Sequence, residues 1–350
     1  MDIIQDERTM NEFKKTTFSK FDLNKVKKKL IQSIVSNDVN SSLHLSVELI
    51  CSGHFIELWE CIITVVTCYI HIGSPKLPIY IDTRFQKFRS IMNSLYSGEN
   101  MLDARNNREI RSLFCEIISI LSFSPKKHKY NIIKVGKEDF DLTILRHKLK
   151  STHKMMADKI LKEGDPNELY IPVNEILYAL EKDVMNTTDA CYWVEWMLQF
   201  ELLSKKKKDP CKGIKREYST VDEKYREDII WIIWDIFFYE AKKQGMIYEK
   251  IIRSLLELYS IRYRPSYKRK RRFILYFAVS IFTEPVRFTI PIHKSQDTGL
   301  IEELIKNIHS IYKQIKKNEV KIVEKVSPKK EQRFNVKMNI ISSMDYIPTL

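Results

Sequence analysis

The stretch ACYWVEWMLQFELL, residues 190–203, constrains the fold more than any other part of the chain. Only Glu195, Gln199 and Glu201 interrupt its apolar and aromatic residues. A helix that is apolar almost all round has no face to give to water, so other elements must enclose it. A second stretch of the same kind, DIIWIIWDIFFYEAKK, follows. There Trp231 and Trp234 repeat the spacing of Trp193 and Trp196, and Phe238 answers Phe200, all offset by 38 residues. That period suits a two-helix α-solenoid unit. No third copy is found, so a single duplicated hairpin and coincidence both stay open.

Two buried helices need many helical neighbours, and the turn residues agree. Eight glycines and eleven prolines in 350 residues are too few for the tight turns of an all-β or dinucleotide-binding fold. The expected fold is therefore all-α: a multi-helical bundle or a short α-solenoid of helical hairpins, with at most one small β element. With 44% hydrophobic residues, the chain can bury a sizeable core.

Punctuation divides the chain into a basic N-terminal arm and helix (1–36), an N-terminal helical region (37–150), a C-terminal helical region (151–319) and a tail (320–350). Asn37–Asp38 is a helix-start signal. Gly53 ends that helix, because glycine accepts the left-handed turn. The next helix runs to Gly73, before Pro75, and later ones end at Gly98 and near Pro125. The segment YNIIKV is the candidate short strand. Asp165–Pro166 reads as a cap and first turn, and Thr187, Thr188 and Asp189 as caps of the tryptophan-rich helix.

Catalytic signatures are missing: no phosphate-binding glycine loop, dinucleotide fingerprint, HExxH, nucleophile elbow or kinase set occurs. Cys51 with His54 and Cys68 with His71 have zinc-like spacing. The residues between them read as one helix rising 1.5 Å per residue, which puts the pairs about 20 Å apart. Zinc ligands must converge within about 2.3 Å of one ion, so no metal and no cofactor are expected. The six cysteines sit mostly in apolar runs as small reduced hydrophobes. Glu195, Asp235 and Glu284 are the carboxylates an enzyme reading would inspect first. Structural pairing with an arginine, such as Arg105, Arg108 or Arg111, is the favoured reading for the first two.

The most informative feature is charge. The net charge is +14, and it gathers in runs. RYRPSYKRKRR holds Arg262, Arg264, Lys268, Arg269, Lys270, Arg271 and Arg272, interleaved with Tyr263 and Tyr267. Lys205, Lys206, Lys207 and Lys208 form a second run, and Lys126 with Lys127 a third. Arginines grip phosphates and tyrosines stack on bases, so these residues are the candidate nucleic-acid contacts. Four successive charges at 269–272 cannot all face a core. Their outward members are expected to be solvated, with Glu284 as the partner of any that turns inward.

Several segments resemble a protein family of the large nucleocytoplasmic DNA viruses, of the mimivirus-like and algal-virus kind. They are VELICSGHFIELWE, IHIGSPKLPIYI, DPNELYIPVNEILY, ACYWVEWMLQFE, DIIWIIWDIF and IYKQIKKNE, spread over residues 45–319. The resemblance implies a virus-factory or virion protein and brings no catalytic residue. The layout of NDVNSSLHLSVELICSGHFIELWECII is also similar to a helical hairpin of clamp-loader collar domains. The expected function is a non-enzymatic basic helical protein that binds nucleic acid in viral replication, transcription or packaging. The alternative is a helical scaffold or assembly subunit that binds viral proteins. MDIIQDERTM has no secretory signal character. IIWIIWDIFFY and FILYFAVSIF are too short to span a bilayer. The expected location is thus the reducing cytoplasm of an infected cell, or the virion, with no membrane partner and no secretion.

Overall fold

A computed structural model of the chain describes residues 3–96, 98–153, 155–218 and 220–320. Apart from Val320, the tail expected at 320–350 lies outside the described residues. The fold is all-α. Among the described residues there is no β-strand, only one isolated bridge between Thr16 and Asp22.

The helices start where short polar side chains can take up free amides. Asp22 accepts from the Lys25 amide to open α1 (Leu23–Val35), and Asp38 accepts from Ser41 to open α2 (Val39–Cys51). Gly53, at φ 74°, turns the chain into α3 (Phe55–Val65). This helix continues as a π-helical turn, Val66–Ile70, and a 3₁₀ turn to Gly73. Pro78 sits in the first turn of α4 (Leu77–Leu95), which ends three residues before Gly98. Asn107 caps α5 (Arg108–Phe123).

The expected strand at 130–135 is irregular chain. It is held against the later helix α11 (Arg272–Thr283) by Tyr130 Oη to Ser280 Oγ (2.8 Å) and by the Ile133 amide to Tyr276 Oη (3.3 Å). A short α6 (Leu142–Arg146) follows, then α7 (Tyr170–Leu180). Asp165 does not cap α7, because both its oxygens accept from Arg216. Asn186, not the three residues after it, caps α8 (Thr187–Lys206). Then come α9 (Ile230–Gln244), α10 (Met246–Ser260), α11 and α12 (Ser295–Lys316).

Helices α1, α2, α3 and α5 pack together, and α12 returns from the C-terminal region to cover α2 and α5. A second group pairs α7 with α8 and α9 with α10, with α11 against α8. The contacts of α4 with α10, and of the π turn with α11, join the groups. Near Val320 the chain meets the N-terminal strap, where the Val320 amide donates to Asp6 (2.8 Å).

Aromatic clusters mark the interior. Trp59 packs on Phe85, Phe88 and Phe114, with ring centroids 5.1–5.7 Å away. The 38-residue echo does not carry into packing. Trp196 lies on Phe140 and Phe200, whereas Trp231 and Trp234 lie on Tyr259, in different surroundings. Helix α8 pairs with the helix before it and α9 with the helix after it, so the echoed helices hold opposite places in their hairpins.

The segment Phe55–Gly73 is long and apolar enough to cross a membrane by length and composition, which the two runs weighed from the sequence are not. Of its most apolar window, 67% is buried inside the fold, so its apolar surface serves packing.

Candidate nucleic-acid interface

Residues 262–272 connect α10 to α11, and the basic residues there divide into two sets. Lys268 and Arg271 are buried, at 4% and 2% exposure. A buried cation is tolerable only when paired and hydrogen-bonded. Lys268 bridges Glu201 on α8 and Asp228 just before α9. Arg271 donates to the Tyr259 and Ile261 carbonyls at 2.6 Å each, and to Glu60 on α3. Arg272 is half-buried, 3.3 Å from Glu195. The expected inward partner, Glu284, is corrected: the acids come from α3 and α8, distant in sequence and close only in the fold. The member of 269–272 that turns inward is Arg271.

The other cations point out. Arg262, Arg264, Arg269 and Lys270 are exposed. Arg262 has a left-handed φ of 45°, which costs a non-glycine residue roughly 1 kcal/mol or more. That turn separates exposed Arg262 from buried Tyr263, whose hydroxyl donates to Asp228. Lys268 and Tyr263 thus grip the same carboxylate from within, and the cations beside them are held at the surface.

Other basic residues join this loop. Lys205–Lys208 are all exposed. Lys205 follows Glu201, the partner of Lys268, by about 6 Å of helix rise. It lies at the negative end of the α8 dipole, which favours cations. Arg269 reaches Gln199 on the same helix. From the other side, exposed Lys134 shares a cavity of about 470 Å³ with Arg269, Arg272 and Glu195. Lys129 lies 5.8 Å from the Phe273 ring centroid. The sequence reading missed Lys134 as a member of the cluster. Its link runs through the packing of 130–135 on α11, which no local pattern announces.

Lys126 is committed elsewhere. The Lys126 ammonium donates to the Leu121, Ser122 and Ser124 carbonyls at 2.8–3.0 Å, closing the end of α5. Burial pulls its pKa down to about 8, so it is still mostly protonated at pH 7 and serves as a helix cap. Lys127 is exposed, and its amide donates to the Tyr69 carbonyl.

The carboxylates weighed as catalytic are engaged in structure. Glu195 accepts from Tyr276 Oη (2.9 Å) and faces Arg272. Burial pushes its carboxyl upward, and Arg272 and Tyr276 oppose the shift. Asp235 accepts from Arg216 Nε (2.8 Å) and Tyr218 Oη (2.7 Å). The cavity that Glu195 lines includes neither Asp235 nor Glu284. The arginine pairing expected for Glu195 and Asp235 is present, with Arg272 and Arg216 in place of Arg105, Arg108 or Arg111. Arg105 instead donates to the Cys51 and Asp6 carbonyls.

The two Cys–His pairs are also committed elsewhere. His54 Nε2 donates to the Thr16 carbonyl and His71 Nε2 to the His128 carbonyl, at 3.1 and 3.0 Å. Among the described residues no three His, Cys, Asp or Glu side chains gather as a metal site. Compared with protein-family models, with curated proteins and with solved structures, the chain matches none.

Proposed function

We propose that the protein binds nucleic acid through the cationic surface formed by the 262–272 loop, the lysine end of α8 and Lys134. One observation carries this reading. The loop is fastened from beneath by Lys268 and Arg271, which holds Arg262, Arg264, Arg269 and Lys270 outward in a fixed arrangement. Cations already ordered lose less conformational entropy on meeting phosphates than cations on a loose tail. The surplus of +14 strengthens attraction to any polyanion. Backbone contacts of this kind give affinity and register and carry no sequence information. The resemblance to the large-DNA-virus family supports a place in viral replication, transcription or packaging.

The test is fluorescence anisotropy with single- and double-stranded oligonucleotides over 50–200 mM salt. If about six phosphates are neutralised, log K falls with log salt at a slope of about −5 on duplex. Replacing Arg262, Arg264, Arg269 and Lys270 together by Gln removes about 3–4 from that slope. No binding at 50 mM salt, or an unchanged slope in the variant, overturns the proposal.

A further inference from the structure

A cleft of about 610 Å³ opens where the N-terminal strap, the α2–α3 turn, α4 and the end of α10 meet, adjoining the basic loop at Arg262. Its size falls in the range of small-molecule sites, about 300–1,000 Å³. Phe55, Phe88, Met92 and Ile261 form an apolar floor, each 4–9% exposed. The exposed methionines Met10 and Met101 flank it. Thioether side chains of this kind adapt their shape to what they cover.

The rim is charged. Lys14, Arg89 and Arg262 line it, all exposed. Two acids share the rim. Glu57 is matched by His54 at 3.7 Å, and Glu257 lies within the electrostatic reach of Arg89. The cations remain in excess. Ser260 also lines the cleft. It is 2% exposed, and its hydroxyl has no hydrogen-bond partner among the described residues. A buried hydroxyl without a partner costs free energy, which a ligand atom can recover.

We propose that this cleft binds an amphipathic organic anion, with an apolar body on the Phe55–Phe88–Met92 floor and a carboxylate or phosphate head at the Lys14–Arg89–Arg262 rim. Apolar floor, cationic rim and unpartnered hydroxyl each match one part of such a ligand. The inference does not rest on nucleic-acid binding, because only Arg262 belongs to both surfaces.

The test is isothermal titration calorimetry of the full chain with octanoate, decanoate and dodecanoate, all below their micellar concentrations, and with 1-decanol. Saturable binding at one site is expected, tightening about fourfold per methylene, the ratio for burying one CH₂. Decanoate should bind better than decanol. Arg89→Gln should weaken decanoate about three- to tenfold and leave decanol unchanged. Met101→Glu should weaken both. Both substituted residues are exposed, so each variant should melt with the parent protein. Four results overturn the proposal: no saturable binding, affinity independent of chain length, equal affinity for acid and alcohol, or binding to anionic lipid vesicles with none to the monomeric acids. The last would reassign the cleft to a membrane surface.

Discussion

Replacing Arg271 by Gln tests the division of the basic loop more sharply than any binding measurement. Its guanidinium is 2% exposed and donates to two carbonyls, of Tyr259 and Ile261, besides pairing with Glu60. A shorter neutral amide cannot reach all three acceptors. Each buried carbonyl that loses its donor costs about 1–3 kcal/mol. Glu60 is about a third exposed (31%), so water screens it and its share is at most about 1 kcal/mol. The total is about 3–5 kcal/mol, as for other buried pairs broken on one side. Unfolding entropy near 2.1 cal/mol/K per residue gives about 0.7 kcal/mol/K for this chain. The expected fall in Tm is therefore about 4–7 °C by circular dichroism or calorimetry. The control is Arg269→Gln with Lys270→Gln, two exposed residues expected to shift Tm by about 1 °C or less. If Arg271→Gln melts within 1 °C of the parent, the loop is not fastened as described and the argument for ordered outward cations fails with it.

Three further substitutions address other parts of the fold. Burial pushes Glu201 to about 7, with Lys268 opposing and Asp228 adding to the shift. The folded state then holds a proton that the unfolded state releases near 4.5. Stability therefore falls as pH rises from about 4.5 to 7, by about 2–3 kcal/mol, and Glu201→Gln should remove that fall in urea titrations at pH 5 and 7.5; equal pH dependence in the two proteins refutes it. Gly53→Ala places a Cβ 2.8 Å from Leu102 Cδ1 and Met10 Sδ at a φ of 74°. It should cost about 1–3 kcal/mol in the same titration, and a neutral result would show that the turn relaxes freely. Lys126→Ala strips three carbonyls at the end of α5 of their donor and should cost about 1–2 kcal/mol at pH 7; no loss would mean that water replaces it.

Helical periodicity is local, and it was legible. The apolar runs at 190–203 and 228–243 predict buried helices, and α8 and α9 are those helices. Asp38 placed the start of α2 and Gly53 the α2–α3 turn, because amide capping and left-handed φ are properties of single residues. What failed needed knowledge of distant partners. Asp165 looks like a cap only until Arg216 is known to lie against it. YNIIKV alternates like a strand, yet no second strand stands beside it among the described residues, and Tyr276 and Ser280 take its polar groups instead. The candidate site shows the same divide. A run of charges is visible in a sequence, but which members turn inward depends on where Glu60, Glu201 and Asp228 arrive from α3, α8 and the start of α9.

Burying part of a basic run also sharpens the rest. Lys268, Arg271, Arg272 and Arg216 each lie against at least one carboxylate: Glu201 and Asp228, Glu60, Glu195, and Asp165 with Asp235. Four cations thus lie against six carboxylates, so these contacts engage acids in excess and leave the surplus of cations to the rest of the surface. Two acids near the loop stay exposed, Glu138 in the cavity with Lys134 and Arg269 and Asp222 beside Arg262 and Arg264, but Glu201 and Glu195 are engaged. Glu201 and Glu195 would otherwise stand beside Lys205 and Arg269 and repel a phosphate. Held by Lys268 and Arg272, they fasten the loop instead. The buried pairs thus do two things at once: they order the backbone of residues 262–272, and they hold Glu201 and Glu195 away from a phosphate at Lys205 and Arg269.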